Sequence, residues 1–289
     1  MLSALRAGWL FPMAVAACGL AACGGEQEVV NTPPAATATA APTASVTAAP
    51  TATATAQADS GPPCKDADDC NTKGEAAGHA DKFKKAVAFW EKGCELGSAK
   101  ACSNLGDVYR HGIVTTEDKP KGAARYARAC ELGDADACTE AGIMFKLAEG
   151  IPADPPKALA LWTKGCAGGA TDSCFNAGML SNKGTGVPVN NEAAVAFYDK
   201  ACAAGNGQAC TYGGIITSLG QGGFPVDVAR GAKFFQAACA QREPQGCFNL
   251  GVMYKLGQGV TKDLAKAKAA FSTGCAAGDA ESCAAAAKM

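Results

Sequence analysis

The stretch Ala158-Leu-Ala-Leu-Trp162-Thr-Lys-Gly-Cys166-Ala-Gly-Gly169-Ala-Thr-Asp-Ser-Cys174-Phe-Asn-Ala-Gly178 decides the fold. Ala158, Trp162 and Cys166 are four residues apart, so they line one face of a helix. On a single unbroken helix, Cys166 and Cys174 would lie about 12 Å apart along the axis. A disulfide needs Cα atoms at about 4.4–6.8 Å. If the two are bonded, the helix must stop between them, and Gly169 stands where a left-handed helix terminus is wanted. A second helix then starts, and it carries a glycine, Gly178, four residues after its cysteine.

The same sentence is written along most of the chain. Couples with seven intervening residues occur at Cys94/Cys102, Cys130/Cys138, Cys166/Cys174, Cys202/Cys210, Cys239/Cys247 and Cys275/Cys283, and a tighter one at Cys64/Cys70. From Cys94 onward they start 36, 36, 36, 37 and 36 residues apart. A fixed period of this size marks a solenoid. Glycine recurs four residues after the second cysteine, at Gly74, Gly106, Gly142, Gly178, Gly214 and Gly251. An aromatic recurs four residues before the first, at Trp90, Tyr126, Trp162, Tyr198, Phe235 and Phe271. A mid-helix glycine costs about 1 kcal/mol, so six recurrences need a packing reason. The aromatic is the natural filler of the gap each glycine leaves.

Each period therefore reads as a helix A of about 10–12 residues after the second cysteine, a loop, and a helix B that ends at the next first cysteine. Gly97, Gly133, Gly169, Gly205 and Gly278 stand three after the first cysteine; only Arg242 departs. Ser98, Asp134, Asn206 and Asp279 follow as caps. The expected fold is an all-α solenoid of about six disulfide-stapled helix pairs over 62–289. It ends in a truncated helix A, Glu281 to Met289, acting as a cap. Fourteen cysteines admit many pairings, and the couples are the reading that spacing favours. Metal sites fit worse, since the couples lack neighbouring histidines.

Residues 1–22 are expected to be an address. Arg6 precedes an apolar run from Ala7 to Ala22 that is short for a membrane span and contains Pro12. Leu20-Ala21-Ala22-Cys23 resembles a bacterial lipobox, which implies cleavage before Cys23 and lipidation there; Cys18 is the weaker alternative. Gly24 does not resemble the aspartate that retains such proteins in the inner membrane, so outer-membrane delivery, periplasmic or surface-exposed, is expected; a secreted protein with an ordinary signal peptide is the alternative. Residues 23–61 are an Ala/Thr/Pro tether that cannot bury enough surface to order itself.

The net charge of −1 removes the basic excess that nucleic-acid binding needs. Sixteen cysteines suggest an oxidising compartment. His79 and His111 are too few for a metallo-lactamase site, and no Ser-x-x-Lys, Ser-Asp-Asn, Lys-Thr-Gly or Gly-x-Ser-x-Gly occurs. No catalytic residue, metal ligand or cofactor is expected.

The recurring pattern resembles Sel1-like repeats, relatives of tetratricopeptide repeats. With paired cysteines it is most similar to the Helicobacter cysteine-rich protein family. The resemblance covers roughly 62–289; the first repeat is shorter than the rest. It implies a superhelix with helices A on a concave face and a non-catalytic scaffold, expected as a monomer, that binds a protein or peptide, peptidoglycan-derived peptide being one candidate. Asn104, Asn176 and Asn249, with Phe175 and Phe248, are the candidate contacts on that face. A β-lactam-binding or weak β-lactamase role, attached to relatives of that family, is the alternative.

Overall fold

The structure is a computed structural model and describes residues 63–114 and 116–289. The expected signal segment, the tether up to residue 61, and Cys18 and Cys23 lie outside the described residues.

Thirteen helices follow one another, with no strand among the described residues. They pair as α1 (Ala67–His79) with α2 (Phe83–Glu95), α3 (Ala99–His111) with α4 (Lys119–Glu131), and α5 (Ala135–Leu147) with α6 (Pro155–Ala167). The series continues with α7 (Thr171–Lys183) and α8 (Asn191–Ala203), α9 (Gly207–Leu219) and α10 (Val228–Ala240), and α11 (Pro244–Leu256) and α12 (Leu264–Ala276). α13 (Ala280–Ala287) packs on α12. Odd-numbered helices are the A helices and even-numbered ones the B helices. Each helix packs on its chain neighbours, and the remaining contacts reach one repeat further. This is the short-range contact pattern of a solenoid.

Twelve of the helices have 13 residues, so the A helices are slightly longer than the spacing predicts. The corners explain the difference. Ser98, Asp134, Asn206 and Asp279 accept a backbone N–H three residues on, so each helix A starts before its cysteine. At the corner itself the backbone turns left-handed at Gly97, Gly133, Gly169, Gly205 and Gly278, with φ from 92° to 100°. Arg242 takes the same role at φ 59°. The next amide then donates back to the carbonyl five residues earlier, as in Asp134 N to Ala129 O at 3.0 Å, closing the helix end.

Disulfides clamp every corner between helix B and the following helix A. Cys94–Cys102, Cys130–Cys138, Cys166–Cys174, Cys202–Cys210, Cys239–Cys247 and Cys275–Cys283 have Cα separations of 4.4–4.7 Å. Cys64–Cys70 ties the chain to the start of α1 at 5.1 Å.

The recurring glycine is a seat for the recurring aromatic. A Cβ placed on Gly106 would lie 2.6 Å from the Tyr126 ring, and one on Gly251 2.6 Å from Phe271. The same contact joins Gly74 to Trp90, Gly142 to Trp162, Gly178 to Tyr198 and Gly214 to Phe235. Tyr126, Trp162, Tyr198, Phe235 and Phe271 are all buried by this seating. The small residue one helical turn earlier, Ala86, Ala158, Ala194 or Ala267, is fully buried too.

One corner carries a charge without a cap. Glu243 precedes α11, makes no side-chain capping bond, and burial raises its pKa above the ordinary glutamate value. A raised folded-state pKa makes the charged form the costly one. Its stabilising contribution is present below the unfolded pKa and is lost as pH rises through the folded value. Glu243→Gln should therefore stabilise the fold slightly at pH 7, by less than ~0.5 kcal/mol after solvent screening. The gain should vanish below the ordinary glutamate pKa, as melts across pH would read.

Candidate functional site: the face of the A helices

Three positions of each helix A, the second, the fifth and the eighth after its cysteine, share one face. Towards the N-terminal end they are polar. Asn104 donates to the Asn71 carboxamide oxygen at 3.1 Å, tying α3 to α1, and Asn71 donates to Glu75 at 3.0 Å. Asp107 accepts the hydroxyl proton of Tyr126. Arg110 is held by Glu140 of α5 at 2.6 Å and by Glu149 of the following turn at 2.9 Å. Burial pulls the Arg110 pKa down, but the two glutamates outweigh it and hold the guanidinium above its ordinary value. Burial, and then Asp107, push the Tyr126 hydroxyl well above its ordinary pKa. Both groups are locked in their ordinary charge states, as structural pairs are.

From α5 onward the fifth position becomes apolar. Ile143, Met179, Ile215 and Val252 occupy the fifth position and are half-buried. Asn176 lines a cavity of about 130 Å³ with Trp162, Met179 and Leu180, and Lys146 and Lys183 stand at its rim. Asn249 is half-buried on α11.

Phe175 and Phe248 sit on their neighbours' rings. Phe248 tilts against Phe271 at 5.7 Å between centroids. Phe175 meets Tyr198 at 6.2 Å and Tyr212 at 6.1 Å, and Tyr198 stacks on Tyr212 at 5.8 Å. The three form one aromatic cluster joining α7, α8 and α9. Its centre is the Tyr198 hydroxyl, which is buried without a hydrogen-bond partner. The equivalent tyrosine in α4, Tyr126, has Asp107; in α7 the matching position holds Met179. Burial, and then Tyr212, raise the Tyr198 pKa, so the group remains a donor. Tyr212 is 36% exposed and forms the outer wall.

The sequence motif brings Asn104, Asn176 and Asn249 to one face but in three different surroundings. It misses Tyr212, which replaces asparagine at the second position of α9, and the Arg110 network. The signal for the first was that substitution itself, one repeat beyond Phe175.

Among the described residues no group of three or more His, Cys, Asp or Glu is placed to hold a metal ion. No described helix is long and apolar enough to cross a membrane.

A family model described as the Sel1 repeat matches residues 70–98, 99–134, 135–169, 171–206, 212–242 and 244–279. The chain belongs to the Sel1 repeat family. The matched segments track the helix pairs closely, each starting near a second cysteine. A Sel1 repeat protein from Oxalobacter formigenes superposes with a TM-score of 0.63 at 19% identity, over 73% of this chain and 86% of that one. A protective antigen present in uropathogenic Escherichia coli strains, displaying an SLR fold, matches at 25% identity and a TM-score of 0.56 over 72% of this chain. This chain spans 45% of that antigen's length. Helicobacter pylori cysteine rich protein B aligns at 25% identity and a TM-score of 0.36, over 45% of this chain and 92% of that one. No curated protein matches the sequence. The Sel1 array is thus a tetratricopeptide-like helical repeat, an architecture commonly used as a protein-interaction scaffold. Its seven disulfides suit an extracytoplasmic, oxidising compartment.

Proposed function

We propose that this Sel1 repeat protein is a non-catalytic scaffold of the bacterial cell envelope that holds a peptide or protein segment across its A-helix face. The observation that carries the reading is the aromatic cluster of Phe175, Tyr198 and Tyr212 around a buried hydroxyl without an acceptor. A buried donor left unpaired costs about 1–3 kcal/mol. With the partly exposed Tyr212 ring swung aside, a carbonyl or carboxylate of a bound peptide removes that cost, and the flanking rings supply the desolvated anchor typical of interface hot spots. The apolar residues Met179 and Ile215 extend the platform. A peptide stem of the cell wall meets the same chemical description. The Leu20-Ala21-Ala22-Cys23 motif supports a lipid anchor on Cys23 in the outer membrane, residues 1–22 being removed and residues 23–61 serving as tether to a monomeric array over 62–289.

The test is quantitative binding of peptides, selected on the intact chain from a random display library. Phe175→Ala with Tyr212→Ala should weaken the selected peptides at least tenfold, equivalent to about 1.4 kcal/mol. Gln236→Ala on the exposed face of α10 should leave affinity unchanged. Equal loss from both, or none from either, removes the A face as the binding surface. Radiolabelled palmitate incorporated by the native chain but not by Cys23→Ala checks the anchor separately.

A further inference from the structure

The two edges of the array differ in kind. The turns from helix B to helix A form one edge and carry the disulfides. The turns from helix A to helix B form the other. There, Gly186 lies against Pro155, Gly222 against Asn191 and Gly259 against Val228, so each turn rests on the first turn of the preceding helix B. The turns are therefore stacked in a row.

This second edge gathers the exposed apolar side chains. Among the described residues ten large apolar side chains are exposed, and eight of them are on it. Ile113, Leu147, Val189, Leu219, Val226 and Leu256 are 51–67% exposed. Phe83 and Leu264 complete the set, whereas the disulfide edge has only Leu96. Exposed apolar side chains gathered on one edge in this way mark a contact with something outside the chain.

Lysines are interleaved with these residues. Lys146, Lys183 and Lys255 occupy the last turns of α5, α7 and α11. A cleft of about 580 Å³ between the α1–α2 and α3–α4 turns gathers Lys82, Lys84 and Lys85 beside Phe83 and Ile113, with Asp81 the acid in it. The edge's other carboxylates are mostly engaged. Asp118, Asp154, Asp227 and Asp263 accept backbone N–H groups as helix caps. Glu149 is held by Arg110 and Glu117 by Lys119. Glu192 stands by Phe224 and Pro225 in a second cleft of about 470 Å³.

We infer that the A-to-B edge lies on an anionic phospholipid surface, its leucines and valines among the upper acyl carbons and its lysines at the headgroups. Charge selects this occupant: ammonium groups alternate with apolar tips, while most of the carboxylates are drawn back onto helix N-termini or into ion pairs. Apolar side chains buried at an interface with lysines reaching to headgroup depth is the arrangement that binds anionic bilayers. A row of projecting turns also fits a planar layer better than the groove an extended peptide needs. The inference is independent of the A-face reading and of any lipid on Cys23.

The test uses the full chain with Cys23→Ala, so that no acyl chain contributes, and co-sedimentation with vesicles. The apolar run 7–22 is present in every variant, so only differences between variants report on the edge. Binding to vesicles of equal parts phosphatidylglycerol and phosphatidylcholine should exceed binding to phosphatidylcholine alone by at least ~10-fold. Leu147→Ser, Leu219→Ser and Leu256→Ser together should cut it at least ~10-fold. Lys82→Gln, Lys84→Gln and Lys85→Gln together should abolish the preference for anionic lipid. Lys164→Gln with Lys200→Gln, on helix B ends at the disulfide edge, should change nothing. On the chain without these substitutions, anionic vesicles should slow hydrogen exchange at 147–154 and 219–227 but not at 97–98 or 133–134. Unchanged binding by the leucine variants, an unchanged lipid preference in the lysine variants, or protection confined to the A face would overturn the assignment. The last outcome would point to a protein partner instead.

Discussion

Reduction of the disulfides should lower the thermal midpoint of this protein by at least ~20 °C and leave the array largely unfolded near body temperature. Six of the bridges close loops of about nine residues, and in the chain-entropy model each such closure stabilises by about 2–3 kcal/mol. Together, even heavily discounted, they rival the roughly 5–15 kcal/mol stability of a whole domain. The core cannot compensate, because alanine is its commonest residue and large apolar side chains are few in each repeat. Helical circular dichroism followed during heating, with and without a phosphine reductant, reads the effect. Cys166→Ser with Cys174→Ser should cost only about 2–3 kcal/mol. A reduced protein that melts where the oxidised one does would show that packing alone holds the repeats.

The second large effect concerns the ring that fills each glycine seat. Tyr126→Ala should destabilise by about 3–5 kcal/mol, since it empties a fully buried site between α3 and α4. Tyr126→Phe keeps the packing and removes only the hydroxyl's bond to Asp107, for a cost of about 1–2 kcal/mol. Tyr198→Phe is the informative contrast. Its hydroxyl has no partner, so the substitution should be neutral or slightly stabilising in the free protein. Denaturant titrations of the three variants separate packing from hydrogen bonding. A large loss from Tyr198→Phe would mean that this hydroxyl is satisfied after all.

Much of this fold can be read from the chain because the repeat couples local and tertiary requirements at fixed offsets. The residue three after each first cysteine must turn left-handed, and the one four after each second cysteine must admit a ring; glycine announces both. Even Arg242, the departure in sequence, is one in chemistry alone, since it adopts the same backbone at φ 59°. Ala148 was not legible in this way. It terminates α5 at φ 56° where α3, α7, α9 and α11 use glycine, and nothing in its identity signals that conformation. The site is less legible than the fold. Arg110 meets Glu149 across 39 residues, and the matching turns hold Ile113, Thr185, Gln221 and Gln258 in place of Glu149. Tyr198 differs from Tyr126 only through the residue facing it, Met179 rather than Asp107. The apolar edge was hidden because its members belong to loops and last helical turns, where periodicity carries no signal.

The covalent links also decide what a protease can do to this molecule. Each bridge spans eight residues or fewer, so it fastens only the corner it encloses. A cut between Cys130 and Cys138 leaves the two halves sewn together, and they part only after the thiols are regenerated. A cut in the turn after Ala148 severs the polypeptide outright, with buried contacts alone holding the pieces. Resistance to digestion is therefore built into one margin of the array and absent from the other, where any shelter must come from whatever that margin rests upon.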